Sequence, residues 1–207
     1  MSKEKIKRLV ILVIGLVIAH LGVTMFLLTN LGADPFNVMV QGLSRNLPFS
    51  HGVTHICVCF LIIIVLLFVE RSTIRLGTIV CMALGGPIID GFTFLLKNII
   101  NESQPLWIRV IVVVLACVIL AFGMTIVICS EAGTGPNDLV AVVISDKLKK
   151  KFGIVRVIVD FTFFFIGMLL GGVYGVGTLI CAFVVGTAAG IIMPYSKKIV
   201  NKMLSKD

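Results

Sequence analysis

Residues 31–44 read LGADPFNVMVQGLS, and residues 132–145 read AGTGPNDLVAVVIS. At an offset of 101 they pair Gly32 with Gly133, Pro35 with Pro136, Asn37 with Asp138 and Ser44 with Ser145. The match continues outward. Upstream, Gly22-Val23-Thr24 pairs with Gly123-Met124-Thr125, and downstream His51-Gly52-Val53 pairs with Phe152-Gly153-Ile154. After a one-residue gap, LGTIVC from Leu76 pairs with VGTLIC from Val176, and Gly86 with Gly186. Matches spread over about 90 residues and concentrated at Gly, Pro, Thr and Ser mark a duplicated half.

The solvent of that duplicated half follows from composition. Of 207 residues, 58% are apolar and only 14% charged, whereas soluble domains hold about 45–50% and about 25%. The polar stretches between apolar runs are shorter than the roughly 50 residues of a small domain, so residues 1–207 form one integral membrane domain, with halves at about 9–96 and about 106–193. A span needs roughly 17–25 residues, and six runs qualify: Leu9 to Leu28, Val53 to Val69, Leu76 to Leu96, Leu106 to Cys129, Ile154 to Leu170 and Val176 to Met193. Pro35 to Arg45 and Pro136 to Leu148 are too short and read as re-entrant or interfacial helices. The expected fold is an all-α polytopic membrane protein of six transmembrane helices plus two short ones. The N-terminal run is too long for a signal peptide and lacks a small-x-small cleavage site, so it is read as the first span.

The net charge of +8 has its basic residues at the ends of apolar runs, which argues for orientation signals rather than nucleic-acid binding. With the N-terminus inside, six crossings place Lys3, Lys5, Lys7, Arg8, Arg71, Arg75, Lys147, Lys149, Lys150, Lys151, Arg156, Lys197, Lys198, Lys202 and Lys206 on the cytoplasmic side. Arg45, Lys97 and Arg109 face out. Both termini are therefore expected in the cytoplasm. Eight crossings would also satisfy the bias, and span length is what favours six. Three crossings per half is an odd number, so the second copy would sit upside down relative to the first, an inverted repeat.

The Gly-x-x-Pro-x-Asn/Asp loop opening a short helix, followed by Gly-Thr near the start of the half's last span, resembles the YczE/YyaS/YitT family of bacterial membrane proteins. The resemblance covers nearly the whole chain. It implies a multi-pass protein of the bacterial plasma membrane, often described as a transporter, and brings no substrate or catalytic residue with it. The second half has Thr187 and Gly190 where the first has Pro87 and Asp90, so any role of that proline and acid is one-sided.

Candidate chemistry lies where polar groups enter apolar runs. Asp34-Pro35 and Gly135-Pro136 read as helix starts, with proline at the first helical position and Asp34 as the cap. Such N-termini can receive an anionic group of a substrate, and Asn37, Gln41, Asn137 and Asp138 add more polarity than a turn requires. Asp90, Asp160 and His20 sit inside spans, where an acid costs roughly 2.5–3.5 kcal/mol and is a functional hypothesis by default. The structural alternative for Asp160 is a pair with Arg156 four positions earlier, and for His20 a packed, hydrogen-bonded ring. His55 and Arg156 occupy equivalent positions near span ends, which snorkelling explains. Gly85-Gly86, Gly171-Gly172, Gly177 and Gly186-x3-Gly190 read as close-packing sites, Lys147 to Lys151 as an anchor to anionic headgroups, and the six cysteines as buried apolar residues.

No P-loop, H-E-x-x-H or G-x-S-x-G is present, so an enzyme is not expected, and no cofactor or metal is implied. The leading reading is a secondary transporter of a small molecule, with its site between the halves and intramembrane acids suited to proton coupling. The alternatives are a substrate-binding membrane subunit of an ATPase-driven transporter and a membrane regulatory or scaffold protein without flux. The expected partners are the lipid bilayer and a small-molecule substrate, with a homo-oligomer left open.

Overall fold

The computed structural model describes residues 3–150 and 152–205, and of residues 152–154, 156, 182 and 186 it describes the backbone alone. The described chain is helical throughout: α1 (Lys3–Thr29), α2 (Pro35–Arg45), α3 (His51–Glu70), α4 (Leu76–Leu96), α5 (Leu106–Ser130), α6 (Pro136–Leu148), α7 (Phe152–Leu169) and α8 (Val176–Leu204), with a 3-10 turn at Arg71–Thr73. Lys151 and Lys206, both assigned above to the cytoplasmic side, lie outside the described residues.

Backbone conformation follows the duplicated sequence. α1 and α5 each end in a left-handed residue, Asn30 at φ 50° and Glu131 at φ 55°, and two residues later Gly32 (φ 108°) and Gly133 (φ 148°) turn the chain. An L-side chain resists that region, which is the physical reason the two stretches match at glycine. Pro35 and Pro136 then open α2 and α6, and the Asp34 side chain accepts from the Asn37 N–H as the cap of α2. Each turn also docks on the opposite half: the Gly77 N–H donates to the Ala132 carbonyl (3.1 Å) and the Gly177 N–H to the Leu31 carbonyl (2.8 Å).

At the centre, α1 and α5 run antiparallel. Gly15 of α1 faces Gly123 and Ile126 of α5, while Gly22 faces Ala116 and Leu120, so the register descends on one helix as it rises on the other. A Cβ at Gly22 would lie 2.7 Å from the Ala116 carbonyl oxygen. Absence of side chains is what lets the two backbones touch. Two arginines close the pair at opposite ends. Arg8 donates to the Ser130 carbonyl (3.2 Å) and pairs with Glu131 (2.8 Å), while Arg109 donates to the Thr29 carbonyl (2.8 Å). Arg8 and Arg109, like Thr29 and Ser130, stand 101 apart. Each cation meets the carbonyl end of the partner helix, where the backbone carbonyls lack donor partners and the dipole is negative.

Around this pair, α4 packs on α1 and α3, α8 on α5, α2 on α7, and α6 on α3 and α7. The α2–α7 contact is again glycine-made, Gly42 against Gly167 and Gly172. The α3–α6 contact uses Leu66, Leu139 and Val143 instead.

Among the described residues, four segments are long and apolar enough to cross a membrane: Lys3–Thr29, His51–Thr73, Leu76–Leu96 and Leu106–Ser130. α8 makes a fifth when its two arms, Val176–Val185 and Thr187–Leu204, which meet at 42°, count as one span. The remaining expected span, Ile154 to Leu170, corresponds to α7 (Phe152–Leu169), of which Val157–Leu169 is an apolar helix among the described residues. Large apolar side chains stand outward on these helices, among them Phe68 (88% exposed) and Leu169 (83%). A surface of that kind belongs against lipid tails. The chain is a membrane protein.

Candidate functional site

A cavity of about 150 Å³ lies where the duplicated elements meet. Its wall takes Leu16, Ala19, His20 and Val23 from α1 and Leu120, Met124 and Val127 from α5. These residues occupy the middle turns of the 27-residue α1 and the later half of the 25-residue α5. The start of α2 (Asp34, Phe36, Asn37) and the start of α6 (Gly135, Pro136, Asn137, Asp138) enter the same space, and Cys81 and Cys181 close it from α4 and α8. Among the described residues, His55 of α3 adds to the polar lining.

The polar groups are held in a definite order. The Asp34 carboxylate receives the Asn37 backbone N–H (3.2 Å) and the Asn37 Nδ2–H (2.7 Å). With its amide nitrogen committed, Asn37 presents Oδ1 to His51 Nε2, which donates at 3.0 Å. In the second half Asn137 Nδ2 donates to Asp138 Oδ1 (3.1 Å). His20 Nδ1 lies 2.9 Å from the Leu16 carbonyl. A carbonyl only accepts, so Nδ1 carries a proton and points away from the cavity's open space toward its own helix. The His20 and His55 rings meet edge to face, centroids 5.7 Å apart, and Phe36 packs edge to face on His55 at 5.5 Å. Gly85 of α4 makes room for both imidazoles: a Cβ there would stand 2.8 Å from His55 Cε1 and 2.9 Å from His20 Nε2.

Of the residues singled out from sequence, His20, Asp34, Asn37, Asn137 and Asp138 line one cavity. Gln41, Asp90 and Asp160 are not among its lining residues. Gln41 accepts the Val173 N–H (2.8 Å), and Arg45 and Asn46 donate to the Gly171 and Leu170 carbonyls, so the far end of α2 is tied to the turn after α7. Asp90 accepts from the Ser50 hydroxyl (2.5 Å) and the Gly52 N–H (3.0 Å), fastening the start of α3 to α4. Asp160 is half-buried on α7 with its Oδ1 shielded from solvent; the Arg156 side chain proposed as its partner lies outside the described residues. Snorkelling does not describe His55, which is 7% exposed and inside the protein. His51, His55 and Cys59 recur at four-residue spacing on α3, the sequence signal that would have placed these rings on one face.

The roles of Asp90 yield a prediction. Asp90→Ala strands the buried Gly52 N–H and should cost about 1–3 kcal/mol, seen as a lower thermal midpoint. Asp90→Asn keeps an acceptor and should recover most of it. A proton carrier would behave differently, with Asn as damaging to function as Ala at unchanged stability.

Sequence comparison places this architecture among known proteins. The model described as a family of unknown function (DUF6198) matches residues 6–194. The chain belongs to that family. It is 25% identical over 182 residues to an uncharacterized protein YyaS of Bacillus subtilis (strain 168), spanning 87% of this chain and 90% of the relative. It is 25% identical over 207 residues to an uncharacterized membrane protein YczE of the same organism, spanning 100% of this chain and 94% of the relative. A Haemophilus influenzae protein is 26% identical over 200 residues, 95% of this chain and 86% of its own. These relatives bear out the resemblance to the YczE/YyaS/YitT family. No solved structure matches the chain.

Proposed function

We propose that the protein is a secondary transporter that moves a small molecule through the cavity between two inverted halves. The observation that carries this reading is the meeting of the α2 and α6 N-termini, one from each half, in a single cavity beside the antiparallel α1–α5 pair. In this reading the chain leaves α1 at one face, turns at Gly32 down to Asp34, and returns to the same face along α2. Gly133 to Leu148 does the same from the opposite face. Two half-length helices entering from opposite sides are tolerated at membrane depth because their irregular backbone lines a polar cavity rather than lipid.

Repeat-related devices support the inversion. The arginine clasps sit at opposite ends of α1–α5, and the Gly77 and Gly177 contacts join each half to the other. Six crossings with both termini cytoplasmic accompany this arrangement, in keeping with the Lys/Arg bias. One structural asymmetry suits a carrier caught with one side shut: α2 is latched to α7 through Gln41, Arg45 and Asn46, whereas at the α6 end the ion pair with α3 is Lys147–Glu70 at 3.9 Å, half-exposed.

Access to the cavity tests the reading. A variant retaining Cys181 as its sole thiol, reconstituted in vesicles, should react with a membrane-impermeant methanethiosulfonate applied from either side in separate experiments. Failure to react from both sides would remove the transport pathway and favour a scaffold.

A further inference from the structure

Resting on the transport reading, we propose that the first turn of α3 is the outer gate of the cavity, held shut by two catches, Asp90 of α4 and Asn37 of α2. Burial rises in layers along the α3–α4 seam. Ser50, the cap of α3, is exposed, Asp90 is half-buried, and Gly52, Gly86 and His55 are buried. In the uppermost layer the Asp90 carboxylate accepts from the Ser50 hydroxyl and the Gly52 N–H. Beneath it Gly52 and Gly86 meet backbone to backbone, and a Cβ on either would collide with the carbonyl oxygen of the other. Next, Gly85 faces the His55 and His20 rings. Cys81, about 13 Å down α4 from Asp90 at about 1.5 Å per residue, lies in the cavity wall. In the proposed orientation this seam stands between the outer face and the cavity.

The two catches tie the turn to different helices. Asp90 grips Ser50 and Gly52, on either side of His51, and so aims the His51 ring across to α2, where Nε2 lies 3.0 Å from Asn37 Oδ1. Asn37 is 5% exposed and its Nδ2 donates to Asp34, which turns its oxygen toward His51. A joint for release is written into α4. Pro87 stands between Gly86 and Asp90, and without an N–H it leaves the helix ladder one bond short beside the catch, where a helix bends most readily. Both devices are one-sided, since the second half has Thr187 and Gly190 at the places of Pro87 and Asp90. Alternating access moves one repeat against the other, so a catch built into one half alone biases the equilibrium toward the form closed on that side. The ties of Gln41, Arg45 and Asn46 to the turn after α7 lie on the same face and act in the same sense.

The test uses the full-length protein with Cys81 as its sole thiol, in right-side-out and inverted membrane vesicles, and reads the rate of modification by an impermeant sulfonatoethyl methanethiosulfonate. Asp90→Ala releases both Ser50 and Gly52 and should speed labelling from outside on the order of tenfold, with no rise from the cytoplasmic side. Asp90→Asn keeps an acceptor for Gly52 and an amide for Ser50, and should label near the parent rate. His51→Ala releases the second catch and should act in the same direction; it carries the test alone where Asp90→Ala does not fold, as its thermal midpoint reports. Ser196→Ala controls for lost stability, since it removes the buried hydrogen bond to Thr125 between α5 and α8, away from the seam, and should leave the outside rate unchanged. An unchanged outside rate in the folded Asp90→Ala or His51→Ala variant, an equal rise from both sides, or an equal rise in Ser196→Ala would overturn the gate. The transport reading fails differently. Faster outside labelling in Asp90→Ala with none from the cytoplasmic side in any variant keeps the gate and sinks transport, whereas labelling from both sides at rates that neither catch variant alters keeps transport and sinks the gate.

Discussion

Gly123→Leu should leave almost no folded protein in the membrane. A Cβ at Gly123 collides with the Ala19 nitrogen and the Gly15 carbonyl, both backbone atoms of α1. Overpacking against side chains costs about 1–3 kcal/mol because the neighbours can rotate; a helix backbone has no rotamer to change, so α1 and α5 must separate. That separation would also pull Arg8 from Ser130 and Arg109 from Thr29. Detergent extraction followed by size exclusion of a fluorescent fusion measures the outcome, and Gly91→Leu is the control, since nothing lies within 4 Å of a Cβ there. Equal folded yields from the two variants would show that the α1–α5 contact is not the structural axis.

Gly85→Val should close the cavity while leaving the protein folded. Its Cβ would press on His55 Cε1 and His20 Nε2, which are ring atoms at the ends of side chains and can yield where backbone could not. The space available for that movement is the cavity itself. Cys81 lines the same space, so in a variant with Cys81 as the sole thiol the rate of methanethiosulfonate labelling should fall at least tenfold on adding Gly85→Val. An unchanged rate at unchanged thermal midpoint would place the two imidazoles outside the pathway.

Much of the fold is legible in the sequence because the repeat is written in residues whose physics is local. Gly32, Gly133, Pro35, Pro136 and the Asp34 cap each act on their own backbone, and the structure shows them doing so. The candidate site is legible at the same two turns and less so elsewhere. Asp90 looks like an intramembrane acid awaiting a role, yet its partners Ser50 and Gly52 lie 40 and 38 positions away, and no local pattern announces them. Gln41 likewise serves Val173, 132 positions on. His55 misleads for a different reason: it lies near the start of α3, and a helix start is readily equated with the membrane surface. Here α3 begins beside the cavity, since His51 reaches Asn37 and His55 reaches His20. The Arg8 and Arg109 clasps are hidden in the sequence because a basic residue at a span end has a ready explanation in lipid headgroups.

The central claim is that the halves are inverted, with α2 and α6 each returning to the face from which its turn entered. Labelling of single cysteines at Phe49, Ser72 and Ser103 by an impermeant reagent outside intact cells, in a background without native cysteines, tests it most directly. Inverted halves place Phe49→Cys and Ser103→Cys outside and labelled, with Ser72→Cys inside and protected. If α2 and α6 crossed the bilayer fully, only Ser72→Cys would label, and the inverted arrangement would be contradicted.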